Sequence, residues 1–136
     1  ASGANIRELS QLKPASAHEY ARRGQLLFGK IAGARQLTIA AVNGYCMGGG
    51  LDLALACDLR YASRDAQFAH PGARLGIITG WGGTQRLPRL VGMNRALEIL
   101  LTARRVTGSE AMEIGLVNRV HDPVLDYACR IAAERN

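Results

Sequence analysis

Apolar residues fall in short blocks along the chain, each closed by glycine, proline or a turn pair. The β-branched run Thr38-Ile39-Ala40-Ala41-Val42 ends at Asn43-Gly44, which predicts a buried strand and a turn. Three glycines, Gly48 to Gly50, then lead into Leu51 to Ala56, which reads as a buried helix. Upstream, Ser16 to Ala34 has Tyr20, Leu27 and Ile31 at helical spacing, with Ser16 and Glu19 as a capping box and Gly33 as a stop. Downstream, Leu59 to Ala62 and Gln67 to Ala69 read as strands around a turn at Ser63-Arg64-Asp65. Gly80 to Val91 is a glycine-rich turn opening a helix, and Arg95 to Leu101 continues as helix. Ser109 caps a helix through Ile114, stopped by Gly115; Leu116 to Val120 reads as a strand. Pro123 opens a last helix with Leu125, Ala128 and Ile131 inward. Strands alternating with helices predict an α/β fold.

The strand, glycine turn and helix from Thr38 to Asp58 hold the clearest chemistry. The first helical turn has backbone N–H groups without internal partners, and the helix dipole adds partial positive charge there. Glycines let another oxygen come close to that backbone. The arrangement suits an anion or a developing oxyanion, and Asp52, just inside the helix, stands beside it as a candidate acid/base. The plain alternative is close packing by the glycines, with Asp52 serving the helix dipole.

Composition narrows the class. The chain has 136 residues, 48% hydrophobic, enough for one modest domain with a core. No apolar run is long enough to span a bilayer, and Ala1 to Asn5 does not read as a signal peptide. Cys46, Cys57 and Cys129 have neither disulfide nor zinc spacing; the first two sit in apolar runs, and a reducing cytoplasm is the expected compartment. No metal site is visible. Net charge is +6, and of 17 basic residues only Lys13 and Lys30 are lysine. The arginines are scattered without interleaved aromatics, which argues against nucleic acid as the main partner.

Ala40-Ala41-Val42-Asn43-Gly44-Tyr45-Cys46-Met47-Gly48-Gly49-Gly50 resembles the signature of the crotonase superfamily, the enoyl-CoA hydratase/isomerases. Ala56 to Ala62, Gly80 to Gly92 and Gly115 to Val120 resemble it in register, so the likeness covers nearly the whole chain. The resemblance implies a crotonase (ClpP/crotonase-like) fold of repeated ββα units, with residues 1–136 as the central part of a single domain truncated at both ends. It also implies an acyl-CoA-processing enzyme that stabilises a thioester enolate, with hydration of a 2-enoyl-CoA as the default reaction. The thioester is substrate, with no resident cofactor. A homo-oligomer, trimer or hexamer, is expected of the full-length protein.

By register, the two oxyanion-hole amides are those of Ala4 and Gly49. Ser2, Gly3, Ile6, Arg7, Gly48, Gly72 and Trp81 fall where the superfamily binds substrate. Arg7 is either a CoA phosphate contact or a surface arginine, and Trp81 either touches substrate or packs. The two hydratase glutamates fall at Asp52 and Gly72, so the second carboxylate is missing. His70, two residues away, is a candidate to complete the catalytic pair with Asp52; its alternative is a buried structural histidine. A bound bicarbonate or similar anion, held by Arg74, is another candidate. Dihydroxynaphthoyl-CoA synthases with Gly at this place recruit bicarbonate, but their nearby aspartate falls at Thr79. Two further readings remain: a non-catalytic acyl-CoA-binding homologue, and RNA binding by the Ser16–Ala34 helix.

Overall fold

The computed structural model describes residues 1–134. Successive turns of the chain each give one strand to each of two sheets. In the first sheet β1 (Ile39–Val42) pairs in parallel with β3 (Leu59–Ala62), Ile39 opposite Leu59, and β3 pairs in parallel with β6 (Arg119–Val120). In the second, β2 (Tyr45–Met47) pairs in parallel with β4 (Gln67–Ala69), Met47 opposite Ala69, and β4 pairs antiparallel with β5 (Val106–Thr107). The helices fill the returns: α3 (Gly49–Ala56) after β2, then α4 (Gly83–Val91) and α5 (Met93–Thr102) after β4. Helices α1 (Ile6–Ser10) and α2 (Pro14–Ala32) precede the sheets, while α6 (Gly108–Glu113) and α7 (Val124–Ala133) complete them. This is the repeated ββα architecture that the resemblance implied.

Leu51, Phe68, Leu87, Ile99, Val106 and Leu116 are fully buried between the sheets and helices α3 to α6. Side chains of this size each contribute about 1.5–3 kcal/mol on burial. A second cluster of Tyr61, Val124, Tyr127 and Ala128 seats α7 on β1 and β3.

Several boundaries differ from the sequence reading. The helix expected at Ser16–Ala34 starts at Pro14, which needs no amide partner at a first helical position. Ser16 sits in that first turn and accepts from Lys13 N at 3.0 Å, while Glu19 pairs with Arg22 and Arg23 instead of capping. Its buried face is Gly24 and Phe28; Leu27 is 56% exposed. Thr107, not Ser109, caps α6, accepting from Glu110 N at 3.3 Å. The strand expected at Leu116–Val120 is only Arg119–Val120, because the amides of Leu116 and Val117 both donate to Ala111 O at the end of α6. Leu125 is 62% exposed, and Val124, Tyr127 and Ala128 face inward from α7. Strand β2 and helix α1 were not anticipated. Of the two cysteines in apolar runs, Cys46 is buried and Cys57 only half-buried.

Candidate active site

The pairing of β2 with β4 assembles the site. Because Met47 stands opposite Ala69, and Gly48 N donates to Ala69 O at 2.9 Å, the start of α3 lies beside His70. Asp52, one turn into α3, and His70 thus meet although 18 positions separate them in the chain. Asp52 Oδ1 and His70 Nε2 are 3.3 Å apart, with only 3% and 4% of their side chains exposed. That distance suits an ion pair, but the two atoms are not aligned for a hydrogen bond, and each is buried without another partner. The other carboxylate oxygen, Oδ2, accepts from the Thr79 hydroxyl. Gly83 closes over the group: a Cβ there would stand 2.3 Å from Asp52 Oδ1 and 2.9 Å from His70 Nε2. As the first residue of α4, Gly83 also brings that helix's positive end to the carboxylate.

The N-terminal loop forms the facing wall. Met47 N donates to Ala1 O at 2.9 Å, which anchors the loop along β2. Gly3, at φ +92°, lies so close that a Cβ would stand 2.8 Å from Gly49 N and from Met47 O. Across this contact the amides of Ala4 and Gly49 come together; a Cβ on Gly49 would be 3.5 Å from Ala4 N. Gly49 is the first residue of α3, where no internal partner exists, and neither amide donates a hydrogen bond among the described residues.

A cavity of about 340 Å³ opens between these walls. Ser2, Ala4, Ile6, Gly48 and Gly49 line one side, and Asp52, His70, Gly72 and Trp81 the other. The remainder is mostly apolar, including Leu9, Leu12, Tyr20, Leu75 and Ile78. Burial pushes the Tyr20 hydroxyl up, with Glu8 adding to it, so it stays neutral. Gly3 does not line the cavity but spaces the two amides, and Arg7 is exposed and outside it. Of the two readings the sequence left open for Trp81, the structure shows the packing. The ring lines the cavity, and it packs against Tyr20 (5.4 Å between centroids) and edge-on to Phe28 (5.6 Å). The space beside Gly72 is taken up by the Ile77 carbonyl, and Arg74 is exposed and outside the cavity.

Sequence reasoning did not select Thr79 or Gly83 as site residues. Thr79 lies 27 positions from Asp52, and only the approach of the loop before α4 to α3 joins them. Among the described residues no three His, Cys, Asp or Glu side chains form a group that could hold a metal ion.

Two sheets fed by ββα turns, with a glycine-rich helix start beside a buried carboxylate, define a crotonase-type α/β domain. The chain belongs to the enoyl-CoA hydratase/isomerase family, whose model matches residues 1–135. It is 42% identical over 121 residues to the short-chain-enoyl-CoA hydratase of Clostridium acetobutylicum, covering 89% of this chain and 46% of that protein. It is 46% identical, with the same coverage, to the crotonyl-CoA hydratase of Syntrophomonas wolfei subsp. wolfei. Among solved structures, Pseudomonas aeruginosa DspI superposes with a TM-score of 0.94 at 42% identity, over 98% of this chain and 56% of that one. The chain spans about half the length of the curated relatives it matches.

Proposed function

We propose that this chain carries the reacting centre of an acyl-CoA enzyme that hydrates a 2-enoyl thioester. The reading rests on one observation above all: two unpaired amides, Ala4 N and Gly49 N, meet at the wall of a largely apolar cavity that also holds Asp52 and His70. In this reading the amides hold the thioester oxygen, and each such donor is worth about 2.7–4 kcal/mol of barrier. Water oxygen bonds to the β carbon, the C=C pair moves toward the carbonyl as an enolate, and the Asp52–His70 pair carries the water's proton to the α carbon. The net result is H and OH added across the double bond. The apolar wall takes the acyl chain, and Ser2, Ile6, Gly48, Gly72 and Trp81 shape its entrance.

The substrate brings the CoA group, so no resident cofactor is invoked. The intact protein is expected to be a homo-oligomer: Met93, Leu97 and Leu101 make an exposed apolar stripe along α5 that association would cover.

The experiment is crotonyl-CoA turnover by the intact protein, followed as loss of enoyl-thioester absorbance, with and without bicarbonate. Turnover that is abolished by Asp52→Asn supports the reading, and dependence on bicarbonate would add a bound anion to the site. Retained thioester binding with no turnover of any enoyl-CoA would replace it with a non-catalytic binding role.

A further inference from the structure

We infer that the cavity is shaped for a straight hydrocarbon acyl chain of about ten carbons, so that medium-chain 2-enoyl thioesters suit it better than crotonyl-CoA. This rests on the thioester reading above and names its substrate class.

The cavity has more room than a short acyl group uses. The four carbons and one oxygen of a crotonyl group, at about 30 Å³ each, the share of a water in the liquid, take about 150 Å³. The cavity holds about 340 Å³, enough for about eleven such atoms, or ten carbons and the carbonyl oxygen.

The lining selects what kind of chain fits. Among the described residues its only titratable side chains are Asp52 and His70, at the reacting centre, and Tyr20, whose hydroxyl stays neutral. Arg7 and Arg74 both lie outside it. A carboxylate or phosphate on the acyl group would therefore lose water without gaining a cation.

The path of the chain is marked by apolar surface that nothing covers. Ile6 is 60% exposed, Leu75 and Ile77 48% and Ile78 67%, although all four line the cavity. Scattered exposed apolar residues are ordinary, but four around one opening form a surface suited to an apolar ligand. Ile77 N donates to Gly72 O at 3.0 Å, which ties the loop carrying three of them to the turn after β4. A crotonyl group fills too little of the cavity to cover all four. A longer chain, running on from the carbonyl held at Ala4 and Gly49, covers them, and each methylene so buried adds about two- to fourfold in binding.

The test is a chain-length series on the intact protein. kcat/KM is measured for trans-2-enoyl-CoA substrates of four, six, eight, ten and fourteen carbons, and Kd for the saturated acyl-CoA of each length. Both are expected to improve by about two- to fourfold per methylene up to about ten carbons and to gain nothing beyond. Values that stay flat or worsen beyond four carbons overturn the inference. Ile78→Ser and Leu75→Ser, at exposed positions, are each expected to cut the ratio of ten-carbon to four-carbon kcat/KM by about tenfold, and Ile78→Leu to keep it. The ratio is taken within one enzyme, so a general loss of activity cancels. A ratio that neither serine variant moves also overturns the inference, since the chain would then run elsewhere. Failure of the wider reading looks different: no enoyl-CoA is turned over while acyl-CoA binding still tightens with length, which keeps the chain assignment and removes the hydration. Turnover of crotonyl-CoA without the length trend removes the chain assignment and keeps the hydration.

Discussion

Gly72 lies against the backbone of Ile77: a Cβ at position 72 would stand 2.7 Å from the Ile77 carbonyl oxygen, and Ile77 N donates back to Gly72 O at 3.0 Å. The absence of a carboxylate at this position is thus built into the turn after β4. Installing it by Gly72→Glu forces the loop from Gly76 to Thr79 to move, at a cost of about 1–3 kcal/mol. Thermal unfolding should show that loss, and turnover should fall, since the displaced loop carries Thr79. A variant as stable as wild type and faster would show that the loop yields freely and that the glycine is a simple loss.

Gly3 tests the amide pair without touching the cavity lining. Its φ of +92° and the 2.8 Å at which a Cβ would stand from Gly49 N both exclude a side chain. Gly3→Ala should push the N-terminal loop off α3 and separate Ala4 N from Gly49 N. If the two amides share one oxygen, kcat falls by about 10²–10³-fold, the loss of one donor. Steady-state kinetics on crotonyl-CoA measures it, and an unchanged kcat removes Ala4 from the chemistry.

Trp81 fixes α2 over the site. Its ring fills the space that the absence of a side chain at Gly24 leaves, so a Cβ at Gly24 would stand 2.2 Å from the indole. Gly24→Ala should displace either the ring or the helix, costing about 1–3 kcal/mol. Trp81 is the only tryptophan in the chain, so its fluorescence reports the change directly. A red shift with a raised KM for acyl-CoA is expected, because α2 supplies Tyr20 to the cavity wall.

Much of this was legible in the chain. The runs Thr38–Val42, Leu59–Ala62 and Gln67–Ala69 each became a strand because they are apolar, β-favouring and closed by turn residues. Strand β2 was hidden: Tyr45-Cys46-Met47 is only three residues between glycines, and its pairing with β4 gives it form. Leu27 and Leu125 misled because an apolar residue at helical spacing has two neighbours that can serve instead, and Phe28 and Tyr127 with their larger rings took the inner face. The site residues Asp52 and His70 were visible one at a time, as residue types in the right stretch. Gly83 was not, and Thr79 stood out only as the place where related synthases carry an aspartate, because the contacts of both with Asp52 come from α4 and the loop before it docking on α3.

Arg60 is a buried cation that makes no direct ion pair among the described residues, with Asp58 acting on it only at longer range. Its guanidinium donates to Cys57 O at 2.5 Å, Leu116 O at 3.0 Å and Ala54 O at 3.4 Å, closing the C-terminal end of α3 and tying it to the chain before β6. Burial pushes its pKa down from the usual arginine range. Arg60→Leu removes the charge but leaves these carbonyls in apolar surroundings, where an unpaired group costs about 1–3 kcal/mol. A loss of about 3 kcal/mol, or roughly 10 °C in Tm, is expected. A Tm within about 2 °C of wild type would mean that water reaches these carbonyls.

The cysteines give a prediction with a pH sign. Cys46 is buried on β2 with Sγ donating to Gly50 O at 3.4 Å, and burial pushes its thiol up to about 12. Cys57 is half-buried and shifted upward, again chiefly by burial, while Cys129 is exposed. At pH 8 an alkylating reagent should label Cys129 first, Cys57 more slowly, and Cys46 only on unfolding. In an unfolded chain a thiol titrates near 8.5, well below the folded value of Cys46. The unfolded state therefore loses its proton first as pH rises. The stability owed to the neutral buried thiol is full below about pH 8.5 and is lost progressively toward 12. Denaturant unfolding at pH 8 and pH 10 measures it. The wild type should lose more stability between the two than Cys46→Ala, which has no thiol there to ionise, and equal losses would place the Cys46 thiol in contact with water.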